Sequence, residues 1–220
     1  MIARLVLIAG ILLPGVVGAA DEYRLEALSE AAPADELSAE VVAELAPSGF
    51  KVIKGTSRTL CEFWPVKQLA TKADFKPSAS LLYPLEMGQL VGAVRFARDA
   101  EDFRGQEIVK GTYTVRFALQ PEDGNHVGTS DTRDFLVLLK AEDDKTPAIV
   151  SREELMKLSA AAAGTTHPCM LSLLAAGEAG DKLPALEHQE ERDLWAATFA
   201  AATKSGPLPM RIVVVGKAAE

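Results

Sequence analysis

Only two of the 220 residues are cysteine, three are histidine, and aromatics make up 6%. Each scarcity excludes something. Two cysteines cannot staple a small disulfide scaffold, so the fold must rest on an apolar core. At most Cys61 and Cys169 form one bridge closing a long loop; the alternative is a pair of buried, inert thiols. A carbohydrate-binding sandwich displays a surplus of aromatic platforms, and there is none here. Tyr113, Phe117, Trp195 and Phe199 fall where strand parity sends side chains to the core, which leaves Trp64 and Tyr83, beside irregular segments, as candidates for exposure. Basic residues are also few, 23 against 31 acidic, for a net charge of −8. Nucleic acid and anionic membrane surfaces are therefore poor partners. No Gly-x-Ser-x-Gly elbow, heptad or internal repeat occurs.

The longest apolar run lies at the N-terminus, where Arg4 precedes the greasy stretch 5–13, a Pro14-Gly15 break and the small residues Gly18-Ala19-Ala20. That order reads as a cleavable secretory signal peptide over residues 1–20. The run falls well short of the ~20 residues a membrane-spanning helix needs. No cysteine lies near the cut to take a lipid, so the expected product is periplasmic or secreted, with no membrane span after cleavage. Nearly half of the chain is hydrophobic, enough for one domain with a substantial core.

The next segment, 21–33, is alanine- and glutamate-rich and reads as a loosely attached leader. A short amphipathic helix follows over 35–46, with Leu37, Val41 and Leu45 four apart, ending before Pro47. Together, residues 21–48 form a leader and short helix ahead of a main domain at 49–220. From Phe50 the pattern turns extended. Segments 50–54 and 58–64 read as a hairpin about Gly55-Thr56-Ser57, and 90–96 as a further strand. Period two is clearest at 112–119, where Tyr113, Val115, Phe117 and Leu119 share one face and Thr112, Thr114, Arg116 and Ala118 the other. On that parity, Phe117→Ala should cost far more stability than Arg116→Ala. Residues 133–140 are an almost continuous apolar run, expected of a strand covered on both faces and paired with its predecessor. Ser151-Arg152-Glu153-Glu154 matches a helix capping box, and Gly164 ends that helix. Strands resume at 169–174, 194–201 and 210–216.

Seven or eight strands with two short helices predict a mainly β fold: an antiparallel β-sandwich, immunoglobulin-like in the loose architectural sense. The phrases Phe103-Arg104-Gly105, Gly111-Thr112-Tyr113-Thr114-Val115-Arg116-Phe117, Gln120-Pro121-Glu122-Asp123-Gly124-Asn125-His126 and Asp131-Thr132-Arg133-Asp134-Phe135 resemble an uncharacterised family of exported bacterial proteins, from about Gly49 to the C-terminus. That resemblance implies an exported domain without an assigned activity and transfers no catalytic residue.

Chemistry-bearing residues gather in two places. The connection 120–132 spans thirteen residues between the two clearest strands and holds Asp123, Asn125, His126 and Asp131, with Arg133 at its end. It reads as a binding loop for a protein or small-molecule ligand, or as a polar turn built from good turn formers. Its oxygen ligands do not match the spacing of a regular calcium loop. His167-Pro168-Cys169-Met170 offers imidazole, thiolate and thioether, the donors copper(I) prefers. In a strand, however, His167 and Cys169 share one face and Met170 takes the other. Cys169 with His126 or His167 is a further candidate nucleophile and base pair. The acidic run 187–193 reads as a solvated loop. The leading expectation is an exported, non-enzymatic binding or scaffold module. A periplasmic copper-type metal-binding protein using His167 and Cys169 comes second and an unrecognised hydrolase third; the sequence leaves the cofactor open.

Overall fold

The computed structural model describes residues 22–121, 132–177 and 182–218. Its elements in chain order are β1 (Tyr23–Leu28), α1 (Ala39–Glu44), β2 (Gly49–Lys54), β3 (Arg58–Pro65), β4 (Leu90–Phe96), β5 (Ala100–Glu101), β6 (Glu107–Ile108), β7 (Gly111–Leu119), β8 (Asp134–Lys140), α2 (Arg152–Ala163), β9 (Met170–Leu174), β10 (Ala185–Gln189), β11 (Leu194–Thr203) and β12 (Gly206–Val215). Residues 1–21, the expected signal peptide among them, lie outside the described residues, as does most of the 120–132 connection.

Ten strands form one antiparallel sheet in the order β1-β2-β3-β4-β7-β8-β9-β12-β11-β10, and β5 and β6 make a separate two-stranded ribbon. The mainly β, antiparallel expectation holds. The two separate sheets of a sandwich are not what forms: the sheet is continuous and curls into a nearly closed barrel. Right-handed twist accumulated over ten strands brings its ends together, and the Tyr23 ring of β1 reaches within 5.2 Å of Trp195 on β11. The segment read as a leader is thus a wall of the barrel. β1 pairs with β2 from Tyr23↔Lys54 to Leu28↔Gly49, which moves the start of the main domain from 49 to 23.

Inside, period two does what it predicts. Phe50 and Val52, Cys61 and Phe63, Val94 and Phe96, Tyr113, Val115 and Phe117, Leu136 and Leu138, and Ala197 and Phe199 all join one buried cluster. Phe50, Phe63 and Phe199 meet pairwise at 5.1–5.5 Å, so aromatic contact spans the lumen. The residual cavity there is about 10 Å³, at the lower limit for a single water. The barrel is packed solid.

β8 is buried on both faces, as its unbroken apolar run requires: Phe135, Val137 and Leu139 pack outward against Leu155 of α2. Ser151 caps that helix, its Oγ accepting from the Glu154 amide at 3.3 Å, and Gly164 closes it in the left-handed conformation. The first helix is shorter than expected, starting after Ser38, whose Oγ accepts from Val41 N. Trp64 and Tyr83 are both buried. The Tyr83 hydroxyl donates to Leu174 O at 2.7 Å and accepts from Arg211 N at 3.1 Å.

The solvent-side reading of Arg116 is overturned. Its guanidinium is fully buried and grips Asp144 in a two-pronged pair, Nε to Oδ2 at 2.6 Å and Nη2 to Oδ1 at 2.8 Å. Nη1 donates to Gly88 O and Ala148 O at 2.7 and 2.8 Å, Nη2 also reaches Thr146 O, and the Thr114 hydroxyl donates to Asp144. Parity is right, but the outer face of β7 is roofed by the 86–89 and 144–150 loops. Gly88 permits the close approach: its φ is +83°, and a Cβ there would lie 1.9 Å from Val150 O.

Candidate functional site

Neighbouring strands of an antiparallel barrel alternate in direction, so the start of one and the end of the next share a rim. At one rim Tyr23 opens β1, Lys54 ends β2, Arg58–Leu60 open β3, Arg98 follows β4, Trp195 opens β11 and Val214 ends β12. Together they surround an open cleft of about 1080 Å³. A smaller one, about 390 Å³, lies by Val66, Leu90 and Ile149.

The floor of the larger cleft is apolar and aromatic. Trp195 stacks on His188 across the β10–β11 pair, with centroids 4.4 Å apart and planes at 12°, while Tyr23 leans on it from the opposite edge of the sheet. These three rings close the seam between β1 and β10. Leu60 and Val214 complete the floor. The rim is charged and mostly paired: Lys54 with Glu22 at 3.1 Å, Lys217 with Glu101 at 2.7 Å, and His188 Nε2 with Asp193 Oδ1 at 3.0 Å. The Tyr23 side chain and the Glu22 carboxylate hold the Lys54 ammonium above its usual pKa. Asp99 accepts from the Lys110 amide at 2.8 Å. Arg58 and Arg98 are exposed and make no ion pair with any described residue.

The residues singled out in the sequence are not brought together here. Asp123, Asn125, His126 and Asp131 lie outside the described residues. Arg133 is half-buried in the barrel wall, its Nε donating to Gln120 O at 3.0 Å and its amide to Ser80 O at 2.9 Å. His167 is exposed, while Cys169 is fully buried in the barrel core, where desolvation and the nearby Asp102 carboxylate push its thiol far above its usual pKa. Met170 packs on the outer side with Phe103 and α2, so strand alternation parts the two sulfur donors, while His167 lies ahead of β9 and is turned to solvent. No group of three or more metal-ligating side chains with suitable placement occurs among the described residues. Cys61 and Cys169 are both free.

Tyr23 escaped the sequence reading, and His188 offered there only a further copper donor in no recognisable pattern. Tyr23 and Leu25 are two apart, a strand signal too short to outweigh the surrounding Ala and Glu. His188 sits in the acidic run read as solvated loop, half of which is strand β10. Comparison of the chain with family models, with curated proteins and with solved structures returned no match.

Proposed function

We propose that this chain is an exported, non-enzymatic binding module whose ligand sits in the cleft at the Tyr23–Trp195 rim. The observation that carries the reading is the contrast between a lumen with about 10 Å³ of free space and a rim cleft of about 1080 Å³ floored by aromatic rings. A concave, partly apolar surface with a few polar groups at its edge is the usual form of a small-molecule site. Export is supported by the position of β1, whose first residue lies just beyond the small-residue stretch that ends at Ala20.

Trp195 and Trp64 supply a reporter and a control, because Trp64 is buried away from the cleft with its Nε1 donating to Glu30 O at 2.8 Å. Titration of the mature chain with submicellar octyl glucoside, decyltrimethylammonium and decanoate should shift the Trp195 indole resonance saturably for at least one compound and leave that of Trp64 unmoved. Thr59→Phe, which fills the cleft from β3, should abolish the shift. If no compound moves Trp195, or if Thr59→Phe changes nothing, the cleft is not a binding site. Mass spectrometry of exported protein should find a chain beginning at Asp21 or Ala20; an intact Met1 would refute export by this route.

A further inference from the structure

The rim's charges go beyond marking a cleft. We infer that the site takes an amphiphilic oxyanion, with a carboxylate or phosphate head held by Arg58 and Arg98 and an apolar body laid over Leu60, Trp195 and Val214. The inference rests on the binding reading above and narrows it.

The lining holds as many acidic as basic side chains, so overall charge does not decide the matter; pairing does. Lys54 and Lys217 are already neutralised by Glu22 and Glu101. Two of the three remaining carboxylates of the lining are engaged. Asp193 faces His188, Asp99 takes the Lys110 amide, and Glu107 stands opposite Glu101 on the β5–β6 ribbon. Arg58 and Arg98, in contrast, belong to adjacent strands whose pairing continues beyond β4, where Ala97 N donates to Leu60 O at 3.3 Å. Two guanidiniums on neighbouring strands line one cleft and offer several N–H donors to an oxyanion bound there. Charge-assisted, two-pronged bonds of this kind are the strongest polar contacts a rim can offer. The protein's net negative charge does not oppose this at contact range, since salt screens it beyond roughly 8 Å at physiological ionic strength.

The apolar half of the ligand follows from the floor. Trp195 is stacked on His188, met at a tilt by Tyr23 and itself buried, so the apolar surface left to cover is that of Leu60 and Val214, which a chain or ring seated there removes from water. Because the lumen is filled, the body must lie across the rim and not descend into the barrel.

The test uses the mature chain and three ten-carbon probes, decanoate, decyl phosphate and decyltrimethylammonium, with octyl glucoside as the neutral arm, read through the Trp195 indole. The two anions should bind about tenfold or more tightly than the cation, and Arg58→Gln/Arg98→Gln should remove that advantage while leaving octyl glucoside binding unchanged. Raising salt should weaken only the anions. Comparison of decanoate with decyl phosphate then distinguishes a carboxylate from a phosphate head. Both arginines are exposed and unpaired, so the variant should melt with the parent chain. Equal binding of cation and anion, or anion binding indifferent to the double replacement, would overturn the inference while leaving the cleft a binding site. Loss of all probe binding would defeat both.

Discussion

Replacing Arg116 with alanine should be among the most damaging changes in this protein, although parity alone places it on the face away from the barrel core. All five of its N–H donors are spent: two on Asp144, and the others on the carbonyls of Gly88, Ala148 and Thr146. Truncation leaves the buried Asp144 carboxylate with the Thr114 hydroxyl as its one remaining side-chain donor, and frees the two loops that the guanidinium ties to β7. Breaking one side of a buried pair costs about 3–5 kcal/mol, because the remaining charge is stranded in a poorly solvated site. For a domain whose whole stability is roughly 5–15 kcal/mol, that is a large fraction. Urea denaturation followed by circular dichroism gives the loss directly. Phe117→Ala, which empties a fully buried position in the lumen, should cost a comparable ~3–5 kcal/mol. The joint replacement Arg116→Met/Asp144→Leu should cost less than the sum of the single changes, since no orphan charge is left. An Arg116→Ala loss below about 1 kcal/mol, the level of an exposed pair such as Lys157–Glu154, would refute the argument.

Two further outcomes follow from burial. Desolvation pushes the Cys61 thiol up to about 12 and raises Cys169 as well, so Ellman's reagent should count no thiols in the native protein and two after guanidinium unfolding without reductant; a native disulfide would leave none in either state. Burial also raises the Asp134 carboxyl above the usual carboxylate range, overriding the Leu82 and Tyr83 amides that donate to it at 2.8 and 3.1 Å. With the folded value above the unfolded one, its contribution to stability is full below the unfolded pKa of ~3.9 and is lost as pH rises through the folded value. Carbon-detected NMR titration should therefore place the Asp134 midpoint above the unfolded value, and Asp134→Asn should flatten that part of the stability profile; a midpoint at or below the unfolded value would show that the amides win.

What could be read directly from the sequence was local. Strand period two at 112–119, the doubly buried run at 133–140, the Gly55 turn and the Ser151 cap with Gly164 depend on neighbours within a few residues, and all appear in the structure. Parity likewise separated Cys169 from Met170 before any coordinates did. What only the tertiary structure decided depends on distant chain segments. Curvature accumulated across ten strands turned the expected sandwich into a nearly closed barrel, and no single strand carries a sign of that closure. The same closure recruited 23–28, whose short alternation is stable only as an edge laid on β2. Burial of Arg116 came from loops 28 and more residues away in sequence, which no periodicity within β7 can report. The rim cleft is the extreme case. Tyr23, Arg58, Arg98 and Trp195 have nothing in common along the chain; they meet because antiparallel pairing brings alternate strand ends to one edge of the barrel.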